Sequence, residues 1–161
     1  MCPAAASLHE GGALNRVRMS RIVSAAGIID IMLKNAPIVP YIPATDVSRA
    51  RRFYEEKVGL VPREEVAGGV VYECGNRSWI FLYPSAGAGT SKASQAFWQV
   101  DDLEAEVAEL RARGVVFEEY DLPRLQTVNG IFTGGGSKAA WFKDSEGNIL
   151  AVIQTVNDGR S

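Results

Sequence analysis

The chain says nearly the same thing twice. Residues Ile38 to Leu60 read as an apolar segment, an aspartate and an amphipathic helix closed by Gly59. Residues Ala93 to Val115 repeat that order about 56 residues further on, with Asp102 answering Asp46 and Gly114 answering Gly59. A unit this short cannot bury its own sheet face, so the two copies must pack together and share whatever site they build.

Each copy has its own legible periodicity. Ile38 to Ala44 alternates as a strand, and Pro40 and Pro43 place it near a sheet edge. Asp46 caps a helix whose apolar positions Val47, Ala50, Phe53, Tyr54 and Val58 fall at helical spacing. Strands over Val61–Val66, Val70–Cys74 and Trp79–Tyr83 follow, divided by Gly68-Gly69 and Gly75-Asn76. Pro84 to Lys92, rich in Gly, Ser and Ala, is a joint. Gln95 to Val100 is again a strand, and Asp102 caps a helix with Leu103, Val107 and Leu110 inward. After an extended Val115–Tyr120, Asp121 to Ser137 reads as one long loop. Its Gly134-Gly135-Gly136 run suggests a flap over a ligand. Lys138–Lys143 and Ile149–Thr155 form a hairpin about Asp144-Ser145-Glu146-Gly147-Asn148.

The expected organisation is a leader over 1–36 and a single domain over 37–157. Within the domain the first module covers about 37–84, a linker 85–92 and the second module about 93–157. The leader is either a flexible segment or an arm docking on a second subunit, and Met19 and Met32 are both candidate starts. Its apolar run, Ile22 to Ile29, is too short to span a bilayer, and no small-residue cleavage pattern follows. A formal charge of -2 offers no handle for nucleic acid or anionic membrane. Two cysteines, Cys2 and Cys74, give no disulfide framework, which fits a reducing cytoplasm.

In the first copy, Asp46, Phe53-Tyr54 and Gly59-Leu60 resemble the vicinal oxygen chelate superfamily. So do Val100-Asp101-Asp102 and Trp141-Phe142-Lys143-Asp144-Ser145-Glu146-Gly147-Asn148 in the second. That superfamily includes glyoxalase I, extradiol dioxygenases, fosfomycin-resistance enzymes and bleomycin-resistance proteins. The resemblance covers roughly Ala36 to Val156 and implies an α+β fold. Two βαβββ modules would curl into a half-open mixed-sheet cup with the helices outside.

Metal-dependent members place a histidine near the start of each module's first strand and a glutamate on the last. The resemblance puts those positions at Val39, Gln95 and Ala151, and Trp79 to Tyr83 holds no carboxylate or imidazole. Valine and alanine cannot ligate a divalent ion, so no metal site and no cofactor are expected. A displaced set drawn from Glu73, Gln95 and Glu118 or Glu119 is the remaining way to hold one.

The inward register that the resemblance implies lines the cup with Val39, Tyr41, Gln95, Phe97, Gln99 and Ala151. The candidate ligand-binding set is Tyr41, Gln95, Phe97, Gln99, Trp98, Trp141 and Tyr120, with Arg124 to meet any negative charge alongside Lys138. No catalytic residue is assigned: Cys74 has no histidine to activate it, and Glu73, Tyr41 and Tyr72 are acids or bases without a partner. The function expected is metal-independent binding or sequestering of an apolar or aromatic small molecule by a homodimer. The alternative is a lyase, isomerase or dioxygenase of the same superfamily, with rearranged ligands or metal-free acid/base chemistry.

Overall fold

A computed structural model describes residues 22–24, 27–29 and 33–156. The chain divides into two compact units, Met1–Pro37 and Ile38–Ser161. In the first, β1 (Ile22–Ser24) and β2 (Gly27–Ile29) pair antiparallel with Ile22 opposite Ile29, and a 3-10 turn covers Leu33–Asn35. The rest of the expected leader lies outside the described residues.

The second unit carries the duplication. In the first copy β3 (Tyr41–Ala44) leads through α1 (Val47–Arg52) and a π-turn over Phe53–Lys57. Strands β4 (Pro62–Val66), β5 (Gly69–Glu73) and β6 (Trp79–Pro84) complete it. The sheet order is β3-β6-β5-β4, with β3 parallel to β6. That parallel pair is what the crossover helix permits. The second copy runs β7 (Ala96–Gln99), α2 (Leu103–Ala112), β8 (Asp121–Leu122), β9 (Leu125–Val128), β10 (Ile131–Gly134), β11 (Ser137–Lys143) and β12 (Ile149–Thr155). Its order is β7-β12-β11-β10-β9-β8, again with the first strand parallel to the last.

The stretch expected as a long loop and flap, Asp121 to Ser137, is instead three short strands. Asn129 and Gly130 both take positive φ, 52° and 72°, as a two-residue type I′ hairpin turn requires. Gly135 and Gly136 do the same at 59° and 74°, so the glycine run is a tight turn between β10 and β11. The strand pairing shows why the copies differ in length. One part of β11 bridges Phe117 and another pairs with β10, so the β8–β9 hairpin interrupts what is a single second strand in the first copy.

Both helices start and stop alike. Asp46 accepts from the Arg49 amide and Asp102 from the Ala105 amide, capping each N-terminus. Each ends at a left-handed glycine, Gly59 at φ 80° and Gly114 at φ 83°. The ends are exchanged between copies. Lys57 Nζ donates to the Gly114 carbonyl at 3.0 Å, and the Arg113 guanidinium lies so close to Gly59 that a Cβ there would stand 2.8 Å from its Nη1. Cations therefore meet the negative end of each other's helix.

One core serves both copies. Ile42, Tyr54, Tyr72 and Leu82 belong to the same buried cluster as Leu103, Phe142, Leu150 and Val152. The Phe142 ring stacks on Phe53 and Trp98 and meets Phe117 edge-on. The β11–β12 turn then clips the copies together. Asp144 is buried and accepts from the Tyr54 hydroxyl at 2.6 Å and from the Glu146 and Asn148 amides. Asn148, fully buried, donates to the Pro43 carbonyl and accepts from the Gly89 amide and the Gln95 side chain. Glu146 accepts from Thr45, the Asp46 amide and the Arg49 guanidinium.

Candidate functional site

Strand alternation sends every second side chain away from this shared core, and in both sheets those outward faces are aromatic. On the first sheet Tyr41, Phe81 and Tyr83 lie together. The Tyr41 ring sits 5.0 Å from Phe81 and 5.4 Å from Tyr83, and Phe81 and Tyr83 are nearly parallel. Tyr41 is 62% exposed. Rings this close fill the space between themselves, so the group is a continuous aromatic surface, with Tyr41 tilted against the other two, and not a cage.

On the second sheet Phe97, Ala151 and Trp141 form one cross-strand row. Gln99, Ile153, Ala139 and Phe132 form the next. Phe97 is 57% exposed, and Trp141 is flanked by Tyr120 at 5.6 Å and Phe132 at 6.4 Å. Alanines at 139 and 151 set a low floor between tall rings. The sequence-derived candidates Tyr41, Phe97, Gln99, Trp141 and Tyr120 thus fall on the two outward faces.

The others do not. Trp98 points to the opposite side of β7 and stacks on Phe142. Gln95 turns to the clip, donating to Asn148, and leaves its Oε1 buried without a partner. Arg124 sits on the β8–β9 turn beside an open groove of about 540 Å³ that also includes Glu104, Leu125, Val128 and Phe132. Lys138 is held by Glu104. Phe81, Tyr83 and Phe132 lie on the same outward faces, outside that candidate set; strict alternation from Tyr41 across the sheet leads to the first two.

A cavity of about 440 Å³ opens beside the free edge of β7, lined among others by Pro40, Cys74, Trp79, Phe97 and Trp98. The Arg63 guanidinium stacks on Trp79 at 4.9 Å while paired with Glu73. Burial pushes the half-buried Cys74 thiol up, only partly offset by a hydrogen bond from Trp98. A thiol held protonated is a poor nucleophile, and it behaves here as a small apolar group. Burial also raises the Tyr120 phenol, and it pushes Tyr72 well above the usual phenol range, ahead of its hydrogen bond to Glu55.

The donor set does not fit a divalent cation. Among the described residues no three of His, Cys, Asp and Glu group so as to hold one. Val39 and Ala151 offer no donor atom, which leaves the Gln95 Oε1 as the single oxygen of that set, with the Gln95 Nε2 donated to Asn148. The displaced alternative is dispersed: Glu73 pairs with Arg63, Glu118 with Lys143, and Glu119 accepts from Thr127.

No protein-family model matches the chain, and no curated protein is similar to it. Solved structures do match. A bleomycin resistance determinant encoded on transposon Tn5 is 21% identical, with 74% of this chain covering 97% of that one at TM-score 0.58. For lactoylglutathione lyase from Agrobacterium tumefaciens the values are 19%, 78%, 98% and 0.54. For TnmS3, an antibiotic binding protein from Streptomyces sp. CB03234, they are 21%, 75%, 98% and 0.50. The fold of this chain is the α+β glyoxalase/bleomycin-resistance fold. Among the described residues no helix is long and apolar enough to cross a membrane.

Proposed function

We propose that this chain binds a flat apolar or aromatic small molecule, without a metal ion, in cups assembled between two copies of itself. Tyr41, Phe81 and Tyr83 of one copy form one wall, and Phe97, Gln99, Trp141 and Tyr120 of the other form the opposite wall. The observation that carries this reading is the direction of the two aromatic faces. Both sheets turn their other face into one shared core, so within a single chain the faces point away from each other and each lacks an opposing wall. Exposed aromatic patches of this kind mark binding or association surfaces. The antibiotic-binding character of TnmS3 supports the ligand class. Two cysteines give no disulfide framework, which suits a reducing compartment, and we place the protein in the cytoplasm.

Complementation tests the shared cup. Tyr41→Ala, at an exposed position, and Trp141→Ala, at a partly buried one, each remove one wall and should each weaken binding of an aromatic ligand about tenfold or more, as loss of a stacked ring does. Mixed and allowed to exchange subunits, the two variants form dimers with one intact cup and one doubly damaged cup. Tryptophan-fluorescence titration should then recover a fraction of tight sites, unchanged by a chelator. A mixture that binds no better than either variant alone, or binding stripped by chelation, overturns the proposal.

A further inference from the structure

A second, smaller cavity lies on the far side of the second sheet, away from the aromatic faces. It measures about 160 Å³ and is lined by Val58, Leu60, Trp98, Val100, Leu110 and Phe142, with Val152, Gln99 and Glu106. Both copies build it. Val58 and Leu60 come from the end of the first helical segment, and the other walls come from β7, α2, β11 and β12. Val58, Leu60, Trp98 and Val100 pack against the core while staying partly open, so apolar surface is left incompletely covered here. Trp98 and Phe142 stack at 19° and give it an aromatic wall.

Two polar residues reach it, and they differ. The Gln99 amide is already donated to Thr155 at 2.9 Å. Glu106, exposed at the rim, has no hydrogen bond or ion pair from its carboxylate among the described residues. Arg113 is taken by Glu109, Lys138 by Glu104, and Lys57 by the Gly114 carbonyl. A volume of about 150 Å³ holds a benzene-sized molecule, and this one is open to solvent on the side where Glu106 stands. A carboxylate at its mouth adds a preference for positive charge.

We infer that this cavity is a second ligand site, selective for a small amine whose apolar body fits between Trp98, Leu110 and Val152 and whose ammonium meets Glu106. The chemistry matches on both ends: ring faces attract cations as well as apolar groups, and the unpaired carboxylate supplies the ion pair. Apart from Gln99 at the β7 edge, whose amide is held by Thr155, the site shares no residue with the proposed cup.

Thermal shift on the full chain with benzylamine, toluene, benzoate and methylammonium tests it. Benzylamine should raise the Tm with concentration, toluene should act roughly fivefold more weakly, and benzoate and methylammonium should do nothing. Glu106→Gln, on an exposed helix position, should bring benzylamine to the level of toluene and leave toluene unchanged. Tyr41→Ala should leave every shift in place, which separates this site from the cup. Equal effects of benzylamine and methylammonium, or a benzylamine shift indifferent to Glu106→Gln, overturn the inference.

Discussion

The same five-residue turn, between the third and fourth strands, occurs in both copies with opposite uses. In the first copy the backbone and hydroxyl bonds of Cys74 to Ser78 are local, the Cys74 amide to the Ser78 carbonyl and the Ser78 hydroxyl to the Gly75 carbonyl, and only the Cys74 thiol reaches the other copy, accepting from Trp98. In the second, Asp144 to Asn148 holds β3, the start of α1, the linker at Gly89 and the Tyr54 hydroxyl. Once one copy of a duplicated turn carries the burden of joining the halves, its twin is released. That twin now lines the cavity beside β7.

If the division is real, matched substitutions should give unmatched effects, and the widest gap belongs to Asn148 and its counterpart Ser78. Asn148→Ala strips partners from the Pro43 carbonyl, the Gly89 amide, Asp144 and Gln95 in a site with no access to water. Each orphaned buried group is costly, and urea denaturation at pH 7 should show a loss of roughly 3–4 kcal/mol. Ser78→Ala removes one exposed hydroxyl bond and should cost below about 0.5 kcal/mol. Equal losses at the two positions would erase the asymmetry.

Glu146 gives the next largest effect and an acid signature. Burial alone would raise its carboxyl, but the bonds from Arg49, Thr45 and Asp46 outweigh that and pull it down to about 2. A carboxyl depressed from the 4.5 of the open chain stabilises the fold in full above about pH 5, and the contribution fades as pH falls through 4.5 towards 2. Arg49 is half exposed and screened by solvent, so the expected contribution is about 1–2 kcal/mol. Glu146→Gln should be less stable than the parent by that amount at pH 7, with the two curves converging near pH 2. Parallel curves across that window would show that the charge of Glu146 does not join the copies.

How much of this could be read in the sequence divides along the same line. The repeat, both aspartate caps and both terminal glycines are local signals, and they fixed the element order. The hairpin at Asn129-Gly130 was equally legible, since that dipeptide between apolar residues is a strong turn signal. The neighbouring glycine run and the apparent loop length obscured it. Tyr41 and Phe97 could be placed on the outward faces because the register that the resemblance implies, carried along by a period of two, needs only one anchor. What escaped was long-range: Gln95 could not be seen to turn toward Asn148, nor Trp98 toward Phe142, because those partners lie about 50 residues or a sheet face away.

The smallest effect is also the most pointed, because it exchanges one residue between the twins. Arg77 stands where the second copy has Gly147, and both are left-handed, at φ 59° and 85°. In the second copy the left-handed backbone favours glycine, and a Cβ would stand 3.4 Å from the Gly89 Cα, at the near limit of ordinary contact. In the first, arginine bears the conformational strain with no contact that rewards it. Arg77→Gly should therefore stabilise the chain by about 0.5 kcal/mol, the left-handed penalty of about 1 kcal/mol being offset in part by the extra freedom of glycine when unfolded. Gly147→Ala, at the twin position, should destabilise by more than about 1 kcal/mol. A loss on Arg77→Gly would mean that the arginine side chain has a use, and the first turn would no longer count as the released one.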